Sequence, residues 1–271
     1  MIWLIGAGRM AVEYARVMEA LNEKFITIGR SENSARKFKE QTGRDVVAGG
    51  LKAYIQKTHE SPQKAILACN VEQLAETTNL LLDMGTKVIL VEKPGGTNRK
   101  QIESLAGRCD SEDARILVAY NRRFYASTYE ARRIIKEDGG VESFHFEFTE
   151  LSRIIAESNK DITVKQNWFL ANSTHVADLA FHLGGSPCEL QSFSKDKLEW
   201  HPSSACFSGA GIADSGALFS YHANWAAPGR WNLEIMTRCH RLIFCPMEKL
   251  KIQEHGSMEI KEPPFDYSFD T

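Results

Sequence analysis

The first residues of the chain carry a glycine spacing that could bind phosphate. Gly6, Gly8 and Ala11 form a G-x-G-x-x-A pattern directly after the apolar run 1–5. Gly6 would let the chain turn sharply, and Gly8 would let the backbone approach a pyrophosphate. The N–H groups of a helix after the turn could then hold the phosphate oxygens. The pattern indicates a dinucleotide site, and the alternative is a tight strand-to-helix turn without a ligand.

The residues that end the second apolar run indicate which dinucleotide would bind. NAD sites usually have a carboxylate there, about 20 residues after the glycines, that accepts from the ribose 2′-hydroxyl. This chain has Arg30 and Ser31 instead, and its first carboxylate is Glu32. A guanidinium can pair with a 2′-phosphate and stack on adenine, and a hydroxyl can donate a further hydrogen bond. The pattern favours NADP(H) over NAD(H), unless Arg30 is simply a solvated residue.

Glu92, Lys93 and Pro94 form a second group of chemically capable residues, directly after the apolar run 88–91. At the carboxyl end of a parallel strand, Lys93 could reach a nicotinamide ribose and the substrate. Its charge could orient a substrate hydroxyl and favour loss of the hydroxyl proton. The bond before Pro94 could be cis, as X-Pro bonds in tight turns can be. The alternative is an ordinary surface loop.

His175 is a candidate acid/base. Asn172 or Ser173 could cap a helix, which would place His175 in the first turn, where the helix dipole favours a neutral imidazole. Such a group could take a hydroxyl proton while hydride leaves the same carbon. Asp178 and His182 share its helix face, but ligands spread over about two turns are a poor metal site, and no metal is expected.

The order of apolar runs predicts how these residues are positioned. Short strands alternate with helices through residues 1–121, which predicts a doubly wound Rossmann domain with a parallel sheet. Strands predominate afterwards, with one strong helix near 174–183, which predicts an α+β domain at 122–271 with a mostly antiparallel sheet. The predicted strands of this second domain are 143–150, 190–194, 217–225, 231–237, 241–245 and 250–253.

Composition excludes several classes of protein. The 271 residues carry a net charge of −2, and the scattered basic residues do not predict a nucleic-acid partner. No apolar run reaches membrane-spanning length, and the chain opens on a strand rather than on a signal peptide. The six cysteines contain no C-x-x-C pair, so we expect reduced thiols rather than a zinc cluster. These features predict a cytoplasmic protein without a membrane partner.

Three motifs together resemble one enzyme family. They are Gly6-x-Gly8-x-Met10, Glu92-Lys93-Pro94 and Tyr120-Asn121-Arg122-Arg123-Phe124. In this order and spacing they resemble the Gfo/Idh/MocA oxidoreductases, the glucose–fructose oxidoreductase and inositol dehydrogenase family, over nearly the whole chain. The resemblance implies NAD(P)-dependent redox chemistry on a sugar or polyol hydroxyl, with Lys93 beside the nicotinamide. It also implies that the sheet of the second domain carries the substrate pocket and often an oligomer interface.

The family's catalytic segment, G-G-x-x-x-D-x-x-x-H-x-x-D, is only partly matched. Aligning His-x-x-Asp places the family histidine on His175 and the family aspartate on Ala171. A second register places Asp178 and His182 on the Asp-x-x-x-His pair, but it loses the trailing aspartate. We prefer the first register, in which Asn172 is the nearest polar substitute for the aspartate.

The resulting prediction is an NADP(H)-preferring dehydrogenase or reductase that acts on a sugar, polyol or sugar nucleotide. The predicted protein is a homodimer or homotetramer through the second-domain sheet. The alternatives are a non-catalytic NADP(H) sensor and a lyase or glycosidase that uses bound nicotinamide transiently.

The predicted catalytic residues are Lys93 and His175. The predicted cofactor-binding residues are Gly6, Gly8, Arg9, Met10, Arg30, Ser31, Asn70, Glu92, Lys93, Pro94 and Arg123. The predicted substrate-binding residues are Lys93, Tyr120, Trp168, Asn172 and His175. A sugar-stacking wall could comprise Trp168, Tyr221, His222 and Trp225, unless strand alternation buries some of them.

Overall fold

The structure is a computed structural model that describes residues 1–264. The chain divides into two compact units, unit 1 (residues 1–119) and unit 2 (from residue 120 onward). The division falls just before the predicted domain boundary at residue 121. The roles predicted for the two domains stay predictions.

Unit 1 alternates strands and helices. Its strands are β1 (Ile2–Ile5), β2 (Phe25–Ile28), β3 (Val46–Val47), β4 (Lys64–Leu67), β5 (Val88–Glu92) and β6 (Arg115–Ala119). Its helices are α1 (Arg9–Ala20), α2 (Glu32–Thr42), α3 (Leu51–Thr58), α4 (Val71–Asp83) and α5 (Arg99–Glu112). Within the described residues, the six strands form one parallel sheet in the order β3-β2-β1-β4-β5-β6. This order is that of a dinucleotide-binding doubly wound fold.

Alternate residues of β1 pack on opposite faces of this sheet. Trp3 and Ile5 belong to one buried cluster, and Leu4 belongs to another. A strand that is buried on both faces needs a continuous apolar run rather than an alternating one. Ser31 accepts a hydrogen bond from the N–H of Ser34 and caps α2, as expected. The predicted Rossmann-type fold is therefore confirmed in unit 1.

Unit 2 begins with a 3-10 turn, Asn121–Phe124, and contains a π-helical turn, Phe169–Ser173. Its helices are α6 (Ala126–Glu137), α7 (Ser152–Glu157), α8 (Ile162–Gln166) and α9 (Thr174–Gly184). Its strands are β7 (Ser143–Glu147), β8 (Pro187–Lys195), β9 (Cys206–Ala213), β10 (Leu218–Asn224), β11 (Asn232–Met236), β12 (His240–Phe244), β13 (Lys251–Glu254) and β14 (Ile260–Lys261).

Among residues 120–264 these strands form one sheet in the order β14-β13-β12-β11-β7-β10-β9-β8. Only β7 and β10 pair in parallel, so the predicted mostly antiparallel α+β architecture is confirmed. Helix α9 packs against β7, and Gly184 permits this approach because a Cβ there would lie 2.3 Å from the ring of Phe144. Strands β9 and β14 and helices α7 and α8 were not predicted.

Candidate functional site

The glycine turn between β1 and α1 has the form that the sequence predicts. Gly6 adopts a φ of +122°, and a Cβ at this position would lie 2.3 Å from the carbonyl oxygen of Ala68. A Cβ on Gly8 would meet nothing within 4 Å, so this backbone borders open space. No side chain caps the N-terminus of α1 at Gly8, which leaves backbone N–H groups available to an anion.

The open space beside the turn is a cavity of about 500 Å³ in unit 1. Five predicted cofactor-binding residues line it, namely Gly6, Gly8, Arg30, Ser31 and Asn70. The other predicted residues of this unit do not line it, namely Arg9, Met10, Glu92, Lys93 and Pro94. The cavity is therefore bordered by the glycine turn and by the residues predicted to bind a 2′-phosphate, whereas the residues of the Glu92-Lys93-Pro94 motif do not line it.

Several lining residues of this cavity were not predicted. Gly49 and Gly50 donate backbone hydrogen bonds to the carbonyls of Arg30 and Gly29, which brings the start of α3 to the end of β2. Lys52, in the first turn of α3, lines the cavity and pairs with Glu76 at 2.5 Å. The sequence could have indicated this edge, because a Gly-Gly pair before a helix is a recognisable loop signal.

The end of β2 is cationic where it borders the cavity. Arg30 is exposed and stands where NAD sites usually have an acidic side chain. Ser34 donates from its hydroxyl to the carbonyl oxygen of Ser31 at 2.9 Å. Ser31 Oγ accepts from the N–H of Ser34 and is also hydrogen-bonded to Ser34 Oγ at 2.8 Å, so both hydroxyl groups take part in the cap of α2. The exposed guanidinium of Arg30 suits a phosphate better than a ribose diol, which would need an acceptor.

The Glu92-Lys93-Pro94 motif forms a tight turn at the end of β5. The Lys93–Pro94 bond is cis, which confirms the expectation for this bond. The hydroxyl of Tyr14, on α1, donates to Glu92 Oε1 at 2.7 Å. Burial raises the pKa of Glu92, while the Tyr14 hydrogen bond and the Lys93 charge act in the opposite direction. Burial also raises the pKa of Tyr14. Tyr14 was not predicted, and it fixes the first residue of the motif.

The predicted cap before His175 is wrong. Ser173 has a helical backbone and caps nothing, because the π-helical turn Phe169–Ser173 runs directly into α9. The N–H of Thr174 already has the carbonyl of Phe169 as an acceptor. Because α9 has no free N-terminus at this point, the dipole argument for a neutral His175 does not hold. The side chains of Asn172 and Ser173 are turned to Glu150 instead.

His175 lies between two aromatic rings of unit 2. The ring of Tyr120 meets it edge-on, with 6.0 Å between the ring centroids, and the ring of Trp231 lies 6.0 Å away on a tilt. The guanidinium groups of Arg230 and Arg122 lie 4.2 and 5.3 Å from the Trp231 ring centroid. Tyr120 was predicted as a substrate residue, whereas Trp231 and Arg230 were not.

Glu150 is the centre of a buried polar network beside this group. Its side chain is 2% exposed and accepts from Ser173 Oγ at 2.7 Å and from Asn172 Nδ2 at 3.1 Å. The indole N–H of Trp231 and the Nη1 of Arg230 also donate to it, each at 3.2 Å. Nothing in the sequence marks this glutamate, because it follows a strand as many surface glutamates do.

Arg123 and Asp178 form a two-bond ion pair in unit 2. Arg123 Nε donates to Asp178 Oδ2 at 2.8 Å, and Arg123 Nη2 donates to Asp178 Oδ1. The neighbouring Arg122 pairs with Glu248 at 2.8 Å. The role of Arg123 in cofactor binding stays a prediction, and the structure adds that a phosphate would have to share this guanidinium with Asp178.

His182, the histidine of the second register, has a lowered pKa and a buried ring nitrogen. Burial, and then the nearby charge of Arg123, lower the pKa of His182. Its Nε2 is buried without a hydrogen-bond partner among the described residues. Residues 1–264 contain no group of three His, Cys, Asp or Glu side chains arranged to hold a metal ion.

The predicted sugar-stacking wall is wrong for Trp225. This side chain is fully buried and donates its indole N–H to the carbonyl of Phe148. Tyr221 stacks on Phe146 and is partly buried against the core of unit 2. Strand alternation therefore places these two rings in the core. Trp168 packs edge-on against Trp200, and its role in substrate binding stays a prediction.

No helix in residues 1–264 combines the length and the apolar character needed to cross a membrane. Compared by sequence, the chain matches no protein-family model and no curated protein.

Solved structures match over nearly the whole chain. A Desulfitobacterium hafniense protein described as an NADPH-dependent oxidoreductase matches with a TM-score of 0.76 and 17% identity, over 98% of this chain and 82% of that one. Levoglucosan dehydrogenase in complex with NADH and levoglucosan matches with a TM-score of 0.74 and 17% identity, over 97% and 80%. The UDP-N-acetylglucosamine 3-dehydrogenase GnnA of Acidithiobacillus ferrooxidans matches with a TM-score of 0.73 and 11% identity, over 98% and 84%. The chain therefore has the fold of these oxidoreductases, as the resemblance to the Gfo/Idh/MocA family implies.

Proposed function

We propose that the chain is an NADP(H)-preferring oxidoreductase that transfers hydride between nicotinamide and a carbon of a sugar, polyol or sugar nucleotide. The observation that carries the proposal is the cavity beside the glycine turn, with Arg30 and Ser31 at the end of β2. Structures of the same fold include levoglucosan dehydrogenase with NADH and a UDP-N-acetylglucosamine dehydrogenase, which supports this substrate class.

Binding of NADPH and NADH to the wild type and to Arg30→Ala tests the cofactor assignment. Loss of one charge-assisted hydrogen bond costs about 1.5–3 kcal/mol, so we expect NADPH to bind on the order of 10- to 100-fold more weakly to the variant. Affinity for NADH should stay within about twofold, because NADH has no 2′-phosphate for Arg30 to bind.

Arg36→Ala is the matched control, since Arg36 lies on α2, is exposed and donates to Asn33 without lining the cavity. It should bind both nucleotides as the wild type does. A wild-type preference for NADH would contradict the NADP(H) assignment, and failure to bind either nucleotide would overturn the oxidoreductase.

His175 is the proposed acid/base, and Lys93 is the proposed anchor for the substrate hydroxyl. Bound nicotinamide would accept or supply the hydride. His175 would hold the hydroxyl proton, and its position between Tyr120 and Trp231 supports a fixed ring orientation. His175→Gln should lower turnover on the order of 100-fold or more while NADPH affinity changes little. Lys93→Met should lower turnover to a similar extent and should also weaken NADPH binding, because Lys93 is also a predicted cofactor-binding residue. Turnover at the wild-type rate in either variant would remove that residue from the mechanism.

A non-catalytic NADP(H) sensor is a second candidate function. The observation that favours it is Ala171, which stands where the family aspartate would be and is buried in the π-helical turn. A panel of sugars, sugar acids and sugar nucleotides separates the candidates. Net oxidation or reduction of the nucleotide identifies the oxidoreductase, turnover without it identifies a lyase or glycosidase, and binding without turnover identifies the sensor.

The sheet of unit 2 is the proposed interface of a homodimer or homotetramer. Every residue of β8 is exposed, and apolar side chains on and near this strand face solvent, namely Leu190, Phe193, Ile212 and Leu218. An exposed apolar patch on a sheet is typical of an association surface. Light scattering at micromolar concentration tests this proposal, and a single species of monomer mass would contradict it.

A further inference from the structure

We propose that Glu150, three residues after β7, supplies the carboxylate that positions His175, in place of the aspartate missing at Ala171. The proposal rests on the function proposed above for His175. Glu150 acts here as a positioning residue, because its side chain is only 2% exposed and both of its carboxylate oxygens are bound by protein donors.

All partners of Glu150 donate to it. Ser173 Oγ, Asn172 Nδ2 and Trp231 Nε1 reach Oε1, while Arg230 Nη1 reaches Oε2. Four donors around one buried carboxylate satisfy a charge that would otherwise be costly to bury. A glutamine could not replace this carboxylate, because its NH2 group is a donor and would face the donor groups that now bind one of the two carboxylate oxygens.

These donors come from the two elements that hold His175. Asn172 and Ser173 belong to the π-helical turn that leads into α9, two to three residues before His175. Trp231 lies directly before β11 and packs its ring against the His175 ring. Glu150 thus connects the turn before the histidine and the ring beside it to the segment that follows β7. These bonds hold the turn that precedes His175 and the ring that packs against it.

The carboxylate also reaches the turn from which the family aspartate is missing. Ala171 is buried in this turn, directly before Asn172 and Ser173. A carboxylate at position 171 would come from the helical turn itself, whereas Glu150 comes from the segment between β7 and α7. The chain thus places negative charge beside the same turn from a different element, which would hold the turn without exposing the carboxylate to solvent.

Glu150→Gln tests the proposal through NMR spectra that need no substrate. We expect the indole N–H resonance of Trp231 and the ring resonances of His175 to move by several linewidths relative to the wild type. The chain has five tryptophans and eight histidines, so Trp231→Phe and His175→Gln assign these signals. If a substrate is found, kcat should fall on the order of 10-fold or more while KM stays within about twofold, because a displaced group affects the chemical step.

Asp138→Asn is the matched control. Asp138 is also a buried carboxylate of unit 2, and it accepts from Thr237 Oγ1 at 2.5 Å and from His240 Nδ1 at 2.7 Å. Its replacement should lower stability without moving the Trp231 or His175 signals. If Glu150→Gln does not fold, Ser173→Ala removes one 2.7 Å bond and should move the His175 signals in a smaller way.

Unchanged His175 signals in folded Glu150→Gln would overturn the proposal, even if the Trp231 signal moved. The proposal would also be overturned if the His175 signals moved to the same extent in Asp138→Asn. Such a result would mean that the loss of any buried carboxylate of unit 2 disturbs His175 through a general loss of stability. Wild-type protein that binds NADPH and turns over no substrate would count against the proposed function alone, since the NMR result stands without turnover.

Discussion

Alanine substitutions at the two glycines of the β1–α1 turn should differ in effect, since Gly6→Ala should lower stability and Gly8→Ala should weaken cofactor binding at nearly unchanged stability. Gly6 has a φ of +122°, where an L-residue costs about 1–3 kcal/mol. The new Cβ would lie 2.3 Å from the Ala68 oxygen and 2.6 Å from the Ala68 carbon, inside the 3.0 Å that real Cβ atoms keep. Because these atoms are backbone at the end of β4, the strand itself must shift.

The shift should also weaken two sheet hydrogen bonds. Gly6 donates to the carbonyl of Ile28 at 2.9 Å, and Ala68 donates to the carbonyl of Ile5 at 2.8 Å. A net hydrogen bond is worth about 1 kcal/mol, so Gly6→Ala should lower the free energy of unfolding of unit 1 by about 3 kcal/mol or more. Such a loss corresponds to a Tm lower by roughly 10 °C for a unit of this size.

Gly8→Ala provides the comparison. Its φ is −91°, and no atom lies within 4 Å of the added Cβ. The free energy of unfolding of Gly8→Ala should stay within about 1 kcal/mol of the wild type. Alanine is a poorer N-cap residue than glycine, but it also makes the unfolded chain less flexible, and the two effects offset each other. NADPH affinity should nevertheless fall on the order of 10-fold or more, because the methyl group occupies the space that the pyrophosphate would approach.

Thermal unfolding and NADPH titration of both variants check the argument. Gly6→Ala with wild-type stability would refute the account of the turn as a glycine-only backbone. Gly8→Ala that binds NADPH as tightly as the wild type would refute the position of the pyrophosphate, whatever happens at Gly6.

Three further predictions concern Glu92, Cys69 and the ion pair between Arg123 and Asp178. Burial raises the pKa of Glu92 in the folded protein, so protonated Glu92 stabilises the fold. This contribution is complete at pH values below the pKa that Glu92 has in the unfolded chain, and it is lost as the pH rises through the pKa of the folded protein. Glu92→Gln should therefore gain stability over the wild type as pH rises in urea titrations, and an equal difference at all pH values would contradict this. Burial raises the pKa of Cys69 to about 11, so alkylation at pH 8 should be much slower at Cys69 than at the exposed Cys188, as peptide mass mapping would reveal. Asp178→Asn should lower the free energy of unfolding by about 1 kcal/mol at pH 7, because the partly exposed Arg123 keeps only a neutral partner; no change in urea unfolding would mean that the pair is energetically neutral.

Local signals in the sequence predicted unit 1 well. The apolar run, the glycine turn and the amphipathic helix follow each other within a few residues, and Gly43 ends α2 with a φ of +72°. In a parallel sheet buried on both faces, the strands are mostly apolar runs such as β1 and residues 88–91 of β5, which can be recognised without knowledge of their neighbours. The lining residues around Gly49 and Lys52 were missed because they approach the cavity only after β2 and α3 are brought together.

Strand β9 illustrates why unit 2 was harder to predict. Its sequence contains Gly209 and Gly211, which are depleted in strands and typical of loops. In the sheet, the ring of Tyr221 lies over Gly209 and the ring of Phe219 lies over Gly211, where a Cβ would come within 2.4 and 2.6 Å of ring carbons. Gly209 is thus required by the Tyr221 ring on β10, and Gly211 by both the Phe219 ring and the carbonyl oxygen of Glu189 on β8. No local pattern contains these cross-strand contacts.

The candidate site was predictable only in its individual residues. His175 was identified by spacing, but its helical surroundings were not, because a π-helical turn that continues into α9 has no local signature. The Glu150 network joins three segments that are distant in the chain, and the carboxylate of Glu150 is recognisable only when its donors are placed around it.

The position of β7 has a consequence for the order in which the chain can fold. β7 is the first strand of unit 2 in the sequence, yet it lies between β11 and β10 in the sheet, where Phe144 pairs with Ile235 and Phe219. Closing such long loops is entropically costly and slows folding. During synthesis, all strands of unit 1 emerge by Ala119, while β7 must wait for β10 and β11 before either of its edges is covered. Nascent chains that end after β9 should therefore expose two open edges of an aromatic-rich strand, and they should depend on chaperones more than chains that extend beyond Met236.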